Sequence, residues 1–291
     1  MDIVKINDFQ NVGASQKATT QFEPEGPAAL HGIIFQLHDA GASSANVDFG
    51  PDVDLLTIKH SGKSLFPGMT GARLVDLAEY EGWLTADIDY FFLPFGDPSA
   101  RTIKGQHLGN FDFTQWPGRM TIELTLGACA GAVTPEINAW AVLTPPKAQL
   151  GLYKPEEIPV HRAFIETVIQ PAAAITKKAF DIGLGSDSGA VVRRLNFFHA
   201  FLTELQIKRS GFDIYEDIPA AMANWWQQDV WARVAQAGLM VYDPIVDGNQ
   251  SEAKATVEAN GKPASYQVRL TTSAADTITE YADVYTTLRR L

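Results

Sequence analysis

An internal repeat constrains the fold of this chain more than any single motif. The segments "LTIKHSG" at 56–62 and "LQIKRSG" at 205–211 agree at five of seven positions, with an offset of 149 residues. Three further features recur in the same order, at offsets of 147, 146 and 146: the candidate helix caps Thr70 and Asp217, the pairs Asp97-Pro98 and Asp243-Pro244, and the strand-like segments that start at Met120 and Tyr266. Conserved order and spacing indicate two copies of one domain.

Short runs with alternating, β-branched or aromatic residues fill most of the space between prolines and glycines. Such runs are typical of the strands of an all-β sandwich. They are "LHGIIFQLH", "DYFFLPF", "MTIELTL", "AWAVL", "LNFFHAFL" and "YQVRLTT". The sequence therefore predicts an all-β protein with two tandem eight-stranded jelly-roll β-sandwich or barrel domains, each with one short helix.

Two segments have helical periodicity instead, and they occupy the same place in each copy. The first is "TGARLVDLAEYEG", with Thr70 as the N-cap and with Leu74, Val75 and Ala78 on one face. The second is "DIPAAMANWWQQD", with Asp217 as the N-cap, Pro219 in the first turn, and Ile218, Ala221, Met222 and Trp225 on one face.

The predicted boundary lies in a proline-rich stretch. Residues 144–160 carry four prolines and few strand-like runs, as expected of a linker. The predicted domains are 1–145 and 146–291, and the polar residues 1–25 are a candidate flexible arm that orders on assembly.

Composition and charge exclude several classes of protein. With 46% hydrophobic residues, the 291-residue chain can build real cores. The net charge of −11 disfavours direct nucleic-acid binding, and we interpret the basic pairs as solvated: Lys177-Lys178, Arg193-Arg194 and Arg289-Arg290. The single cysteine, Cys129, excludes an internal disulfide framework. Because neither a signal peptide nor a long apolar run is present, we expect synthesis in a host cytoplasm.

Motifs for nucleotide binding or hydrolysis fail on their spacing. Gly62-Lys63-Ser64 ends like a phosphate loop, but Thr57 stands where the first glycine is required, and the second copy keeps only Ser210-Gly211. The segment 181–190, "DIGLGSDSGA", misses the dinucleotide-binding spacing. The histidines do not have metal-site spacings: His31, His38, His60, His107, His161 and His199. No G-x-S-x-G elbow occurs, so the sequence predicts no catalytic residue and no organic cofactor.

Two sets of acidic residues leave alternatives open. Asp87 and Asp89 alternate on one strand and could serve as the acid and base of a glycosidase, or simply solvate a strand end. The segment "DPIVDGNQSE" has the oxygen-rich composition of a calcium loop outside the EF-hand register, through Asp243, Asp247, Asn249 and Glu252. A structural divalent cation such as calcium is the only ion that the sequence suggests.

The segment 90–127 contains Pro94-Phe95-Gly96-Asp97, Arg101, the "LGNFD" loop and the strand "MTIELTL". With these features it resembles the major coat protein of corticovirus-like phages, which are tailless icosahedral bacterial viruses with an internal membrane. The resemblance is best from about residue 30 to 145. It implies a double jelly roll that forms homotrimers, and three copies of two similar domains present six nearly equivalent faces that can tile a shell.

Two hypotheses follow, from different classes of protein. The first is a structural major capsid protein without catalysis, located in the virion shell. Its implied partners are neighbouring capsid trimers, penton and membrane-associated virion proteins and the internal viral membrane, with no direct nucleic-acid contact. The alternative is a carbohydrate-binding or carbohydrate-active β-sandwich protein, such as a glycosidase or receptor-binding spike, with Trp116 and Trp140 as sugar platforms.

Overall fold

The computed structural model describes residues 1–39, 48–82, 90–129, 134–151, 160–184 and 189–287. The chain divides into two compact units, Met1–Ala163 and Phe164–Leu291, which we call the N-terminal and C-terminal units. About half of the described residues of both units lie in antiparallel strands.

Two sheets form the N-terminal unit. One has the strand order β1-β9-β3-β6, with β7 also paired to β3, and the other has the order β2-β8-β4-β5. The strands are β1 (Asp2–Lys5), β2 (Lys17–Phe22), β3 (Ala29–Asp39), β4 (Val53–His60), β5 (Lys63–Met69), β6 (Tyr90–Pro94), β7 (Phe111–Asp112), β8 (Met120–Leu126) and β9 (Pro135–Thr144).

The C-terminal unit repeats this topology strand for strand. Its sheets have the orders β10-β18-β12-β15, with β16 on β12, and β11-β17-β13-β14. The strands are β10 (His161–Ile169), β11 (Ile175–Asp181), β12 (Val191–Phe198), β13 (Leu202–Arg209), β14 (Phe212–Pro219), β15 (Leu239–Tyr242), β16 (Lys254–Ala255), β17 (Tyr266–Thr272) and β18 (Ile278–Thr286). The first three residues of β10, 161–163, belong to the N-terminal unit. Two four-stranded sheets with this interleaved order form a jelly roll, so the predicted double jelly roll is confirmed.

The repeated heptapeptides form the same hairpin in both units. Ser61-Gly62 joins β4 to β5 with φ angles of 50° and 79°, and Ser210-Gly211 joins β13 to β14 with 49° and 83°. Two consecutive left-handed residues form the turn that matches the twist of a two-residue hairpin. Glycine is needed at the second position because it adopts positive φ without strain.

Helix α2 (Gly71–Glu81) begins where the sequence predicts. The Thr70 hydroxyl accepts a hydrogen bond from the Arg73 amide at 3.3 Å, and Gly82 ends the helix in the left-handed conformation. Leu74 and Ala78 are buried. This helix therefore has a cap at each end and one apolar face against the core.

The second helix corrects the sequence prediction. α4 (Ala220–Trp225) begins after Pro219, and Asp217 lies within β14, where its carboxylate binds Lys177 instead of capping the helix. On the predicted apolar face, Met222 and Trp225 are 50% and 55% exposed. The observed helix caps, Thr70 and Pro219, are 149 residues apart, which equals the offset between the two hairpins.

Further short helices go beyond the predicted single helix per domain. They are α1 (Phe49–Asp52), α3 (Ile103–Leu108), a π-helical turn (Trp226–Val230) that continues α4, and a 3₁₀ turn (Gln250–Glu252). Helix α3 passes close to Gly96, where an added Cβ would lie 2.4 Å from the Gln106 carbonyl oxygen. None of the helices in the described ranges is long and apolar enough to cross a membrane.

Two other predictions differ from the structure. Residues 1–25, the candidate flexible arm, instead supply β1, paired to β9, and β2, paired to β8. The run "LNFFHAFL" is not one strand, because β12 ends at Phe198 and β13 starts at Leu202. Part of the predicted linker, residues 152–159, lies outside the described residues, and the predicted boundaries stay a prediction.

Candidate assembly surface and buried polar clusters

The phosphate-loop residues are part of the first hairpin. Lys63 and Ser64 begin β5, and the Ser64 hydroxyl donates to the Phe66 carbonyl oxygen at 3.0 Å. A strand therefore follows the glycine where a nucleotide loop requires a helix. Part of the glycine-rich segment 181–190 lies outside the described residues, as do Asp87, Asp89 and the pair Arg289-Arg290.

The residues of the candidate calcium loop bind within the protein. Asp243 Oδ2 accepts from Arg194 Nε at 2.9 Å, and Asp243 Oδ1 accepts from the Ile245 amide at 3.1 Å. Asp247 Oδ1 accepts from the Asn249 amide in a local turn. In the described part of the chain, no three His, Cys, Asp or Glu side chains form a metal-binding group. Whether a divalent cation binds elsewhere stays a prediction.

Arg193 and Arg194 are buried, contrary to the prediction that they are solvated. Arg193 Nη1 lies 2.6 Å from Asp283 Oδ2, and its guanidinium lies 5.2 Å from the Tyr285 ring centroid. Arg194 pairs with Asp243. Their partners lie far away in sequence, which is why local sequence context does not reveal the burial. Lys177 and Lys178 are exposed, as predicted.

Glu280 is a buried acid in the C-terminal unit. It lies on β18 opposite Phe197, and the next pair on the same face is Leu195 with Ala282. Residues opposite one another in an antiparallel pair share a face, so the carboxyl group lies among apolar side chains. Burial raises the pKa of Glu280 to about 8, although the Thr167 hydroxyl opposes the shift. The acid is therefore mainly neutral at pH 7.

A chain of polar side chains runs through the N-terminal unit. The Asn110 amide links His31 Nδ1 at 3.0 Å to His107 Nδ1 at 3.2 Å, and it also donates to the Thr144 hydroxyl at 3.1 Å. Burial lowers the pKa of both imidazoles, so they are neutral at pH 7.

Cys129 is also buried, which raises the pKa of its thiol to about 11 and keeps it a small apolar group.

Lys147 is a buried base close to the hydrogen-bonded side chains around Asn110. Its Nζ donates to the carbonyl oxygens of Leu108, at 2.7 Å, and Val160, while its backbone amide donates to Asp112 Oδ2 at 2.9 Å. Burial lowers the pKa of Lys147 to about 7, and the neighbouring Asp112 carboxylate opposes the shift. The lysine thus ties the segment after β9 to residues 108 and 160.

An exposed apolar surface lies on α4 and the π-helical turn. Its residues follow one another at helical spacing, so they share a face, which we call the α4 stripe: Met222, Trp225, Trp226 and Val230. Trp225 and Trp226 are 55% and 44% exposed. Trp116 and Trp140, the candidate sugar platforms, are only half exposed.

The α4 stripe was not predicted, although the sequence contains a signal for it. Met222, Trp225, Trp226 and Val230 stand at i, i+3, i+4 and i+8, which is the spacing of one apolar helix face, but that spacing does not reveal whether the face is buried or exposed. The corresponding helix α2 buries Leu74, Leu77 and Tyr80. The same element is therefore covered in one unit and open in the other, which marks the stripe as a candidate interface.

Two jelly rolls of the same strand order in one chain define a double jelly-roll protein. The chain belongs to the viral coat protein P2 family, because the model of the N-terminal domain of that family matches residues 3–144 and the model of its C-terminal domain matches residues 162–288. It is a structural capsid protein of the virion shell and not an enzyme. The predicted resemblance to a phage coat protein is thereby confirmed.

Solved structures agree with this fold. The major capsid protein P2 from bacteriophage PM2 has a TM-score of 0.73 at 12% identity, with 98% of each chain covered. The STIV MCP has a TM-score of 0.67 at 14% identity, with 99% of this chain and 98% of that chain covered. A chain of the PBCV-1 virus capsid has a TM-score of 0.59 at 12% identity, with coverages of 98% and 94%. No curated protein sequence matches this chain. These relatives give no support to the carbohydrate-binding alternative.

Proposed function

We propose that this capsid protein assembles as a homotrimer whose six jelly rolls tile a roughly sixfold position in the icosahedral shell of a bacteriophage. The observation that carries the proposal is the repeat of one strand order in both units. A threefold assembly of two similar domains presents six similar faces to its neighbours, which a single-domain trimer cannot do.

The α4 stripe is the proposed contact between copies. Two tryptophans and a methionine on one helix face are the residue types enriched at the centres of interfaces. Within the trimer, the stripe of one copy would bind a different surface of the next copy, because cyclic threefold contacts are heterologous. Neighbouring trimers, penton proteins, membrane-associated virion proteins and the internal membrane are the further proposed partners, and direct nucleic-acid contact is not part of the proposal.

Light scattering on the purified protein tests the trimer and the stripe separately. The expected mass is three times 31.8 kDa. Replacing both Trp225 and Trp226 with Ser should shift the protein to monomers, whereas the control Phe212→Ser, at a 77% exposed side chain in a hairpin, should leave the trimer intact. A wild-type monomer at all concentrations would contradict the trimer. A trimeric tryptophan variant would contradict only the stripe.

A further inference from the structure

The side chain of His161 lies in a pocket of the N-terminal unit that offers it no hydrogen bond. It is 1% exposed, and neither ring nitrogen has a partner among the described residues. Its ring packs at 70° to that of Phe111, with 5.4 Å between centroids. Phenylalanine or leucine would fill this pocket without burying two polar nitrogens, so stability alone does not account for a histidine here.

The titratable groups around His161 disfavour protonation of its ring. The Phe111 ring also contacts His60, with 4.8 Å between centroids. Burial, together with the smaller effects of the nearby Lys147 and His60, lowers the pKa of His161 to about 3. Other titratable groups of this region are His31 of β3, His107 of α3 and Asp112 of β7. Two acids lie in this region: Asp112 is bonded to the backbone of Lys147, and Glu81 pairs with Arg162, the residue after His161.

The residues on either side of His161 are held to the same unit by polar contacts. The Val160 carbonyl oxygen accepts from Lys147 Nζ, and the Arg162 amide donates to the Gly109 carbonyl oxygen at 2.9 Å. The Arg162 guanidinium donates to the Pro94 carbonyl oxygen at 3.0 Å and to Glu81 Oε1 at 3.1 Å. The imidazole therefore sits at the centre of a short, firmly attached segment, where any displacement of the ring strains these bonds.

We propose that His161 is an acid-sensitive latch: protonation of its ring expels the ring from the pocket and releases residues 160–162 from the N-terminal unit. A released imidazole takes up a proton near its ordinary pKa of about 6.5, whereas the pocket excludes that proton. Acid therefore favours the released state, and lowering the pH from 7 to 5 should raise the population of that state about 20-fold. The latch does not depend on the trimer, since all its contacts lie within one unit of one chain.

Hydrogen exchange of the Arg162 amide measures the latch directly in the wild-type protein. After correction for the intrinsic exchange rate, its protection should fall about 20-fold from pH 7 to pH 5. Amides in the central strand β8 should be protected more strongly than the Arg162 amide at both pH values, because they exchange only when the whole unit unfolds. An Arg162 amide with unchanged protection would overturn the latch, and so would protection equal to that of β8 at each pH, because that result means unfolding of the whole unit.

Variants separate His161 from the other histidines. His161→Phe should make the protection of the Arg162 amide independent of pH between 7 and 5, and His161→Leu serves if the phenylalanine variant does not fold. The matched control is His38→Phe, since His38 lies at a half-exposed ion pair with Glu136 in the same unit. This control should retain the full pH dependence. Retained pH dependence in a folded His161 variant would overturn the proposal.

Discussion

The strand pairs β3–β9 and β12–β18 occupy corresponding places in the two units but bury different side chains. The first pair buries mainly apolar residues, with His31, Asp39 and Thr144 as its buried polar groups. The second buries two arginines on β12, and Glu280 and Asp283 on β18. Strand order is the same in both. Topology is therefore set by apolar alternation and turns, whereas the buried polar chemistry varies within it.

This difference gives the two units opposite responses to pH. In the N-terminal unit, burial lowers the pKa of Lys147 to about 7 and that of His161 to about 3. Bases with a lowered folded-state pKa bind fewer protons when folded, so stability is lost as the pH falls below their ordinary values. In the C-terminal unit, Glu280 binds its proton more tightly when folded, so stability is lost as the pH rises from about 4.5 to about 8. The raised pKa of Asp76 in the N-terminal unit and the lowered pKa of His199 in the C-terminal unit each oppose the pH response of their own unit.

The largest effect should come from breaking the buried pair Arg193–Asp283. Arg193→Met leaves Asp283 charged and buried, and we expect a loss of about 3–5 kcal/mol in the unfolding free energy of the C-terminal unit, measured by urea denaturation. Lys177→Met, at the largely exposed pair with Asp217, should cost far less, because exposed ion pairs contribute little to stability. Equal losses in the two variants would show that burial does not distinguish the pairs.

A smaller effect of opposite sign is expected at Glu280. Glu280→Gln removes the cost of ionising a buried acid, so the variant should gain on the order of 2–3 kcal/mol over wild type on going from pH 5 to pH 7. Thermal unfolding at the two pH values measures the gain. The control Glu204→Gln, at a half-exposed surface residue of the same unit, should follow the wild type. An unchanged pH slope in the Glu280 variant would exclude this acid as its cause.

The smallest effect should be equal in the two units. Gly62→Ala and Gly211→Ala each place a side chain at positive φ with nothing within 4 Å of the added Cβ, so only backbone strain changes. We expect about 1 kcal/mol of destabilisation in each case, measured by denaturation of the two variants. A cost confined to one turn would mean that the hairpins are not equivalent.

Strands and helices whose formation depends on neighbouring residues could be predicted from the sequence. The strands β8 and β17 coincide with "MTIELTL" and "YQVRLTT", because buried and half-exposed residues alternate along both without interruption. Helix α2 was predicted from its cap and its apolar face. The start of α4 was missed because Asp217 binds Lys177, 40 residues away in sequence.

The buried polar groups could not be predicted in this way. Arg193 and Asp283 are 90 residues apart, and Arg194 and Asp243 are 49 apart, so only the sheet brings them together. His161 carries no spacing that distinguishes it from an exposed histidine. Long-range strand pairing, which determines these environments, leaves no signature in a single sequence beyond the repeat itself.

The most direct test of the account is hydrogen exchange of both units as a function of pH, corrected for intrinsic rates. We predict that strands of the N-terminal unit lose protection toward acid and keep it toward pH 8, while β12 and β18 lose protection as the pH rises from 5 to 8. Loss of protection in the same direction in both units would contradict the claim that one jelly-roll topology carries two opposite sets of buried titratable groups.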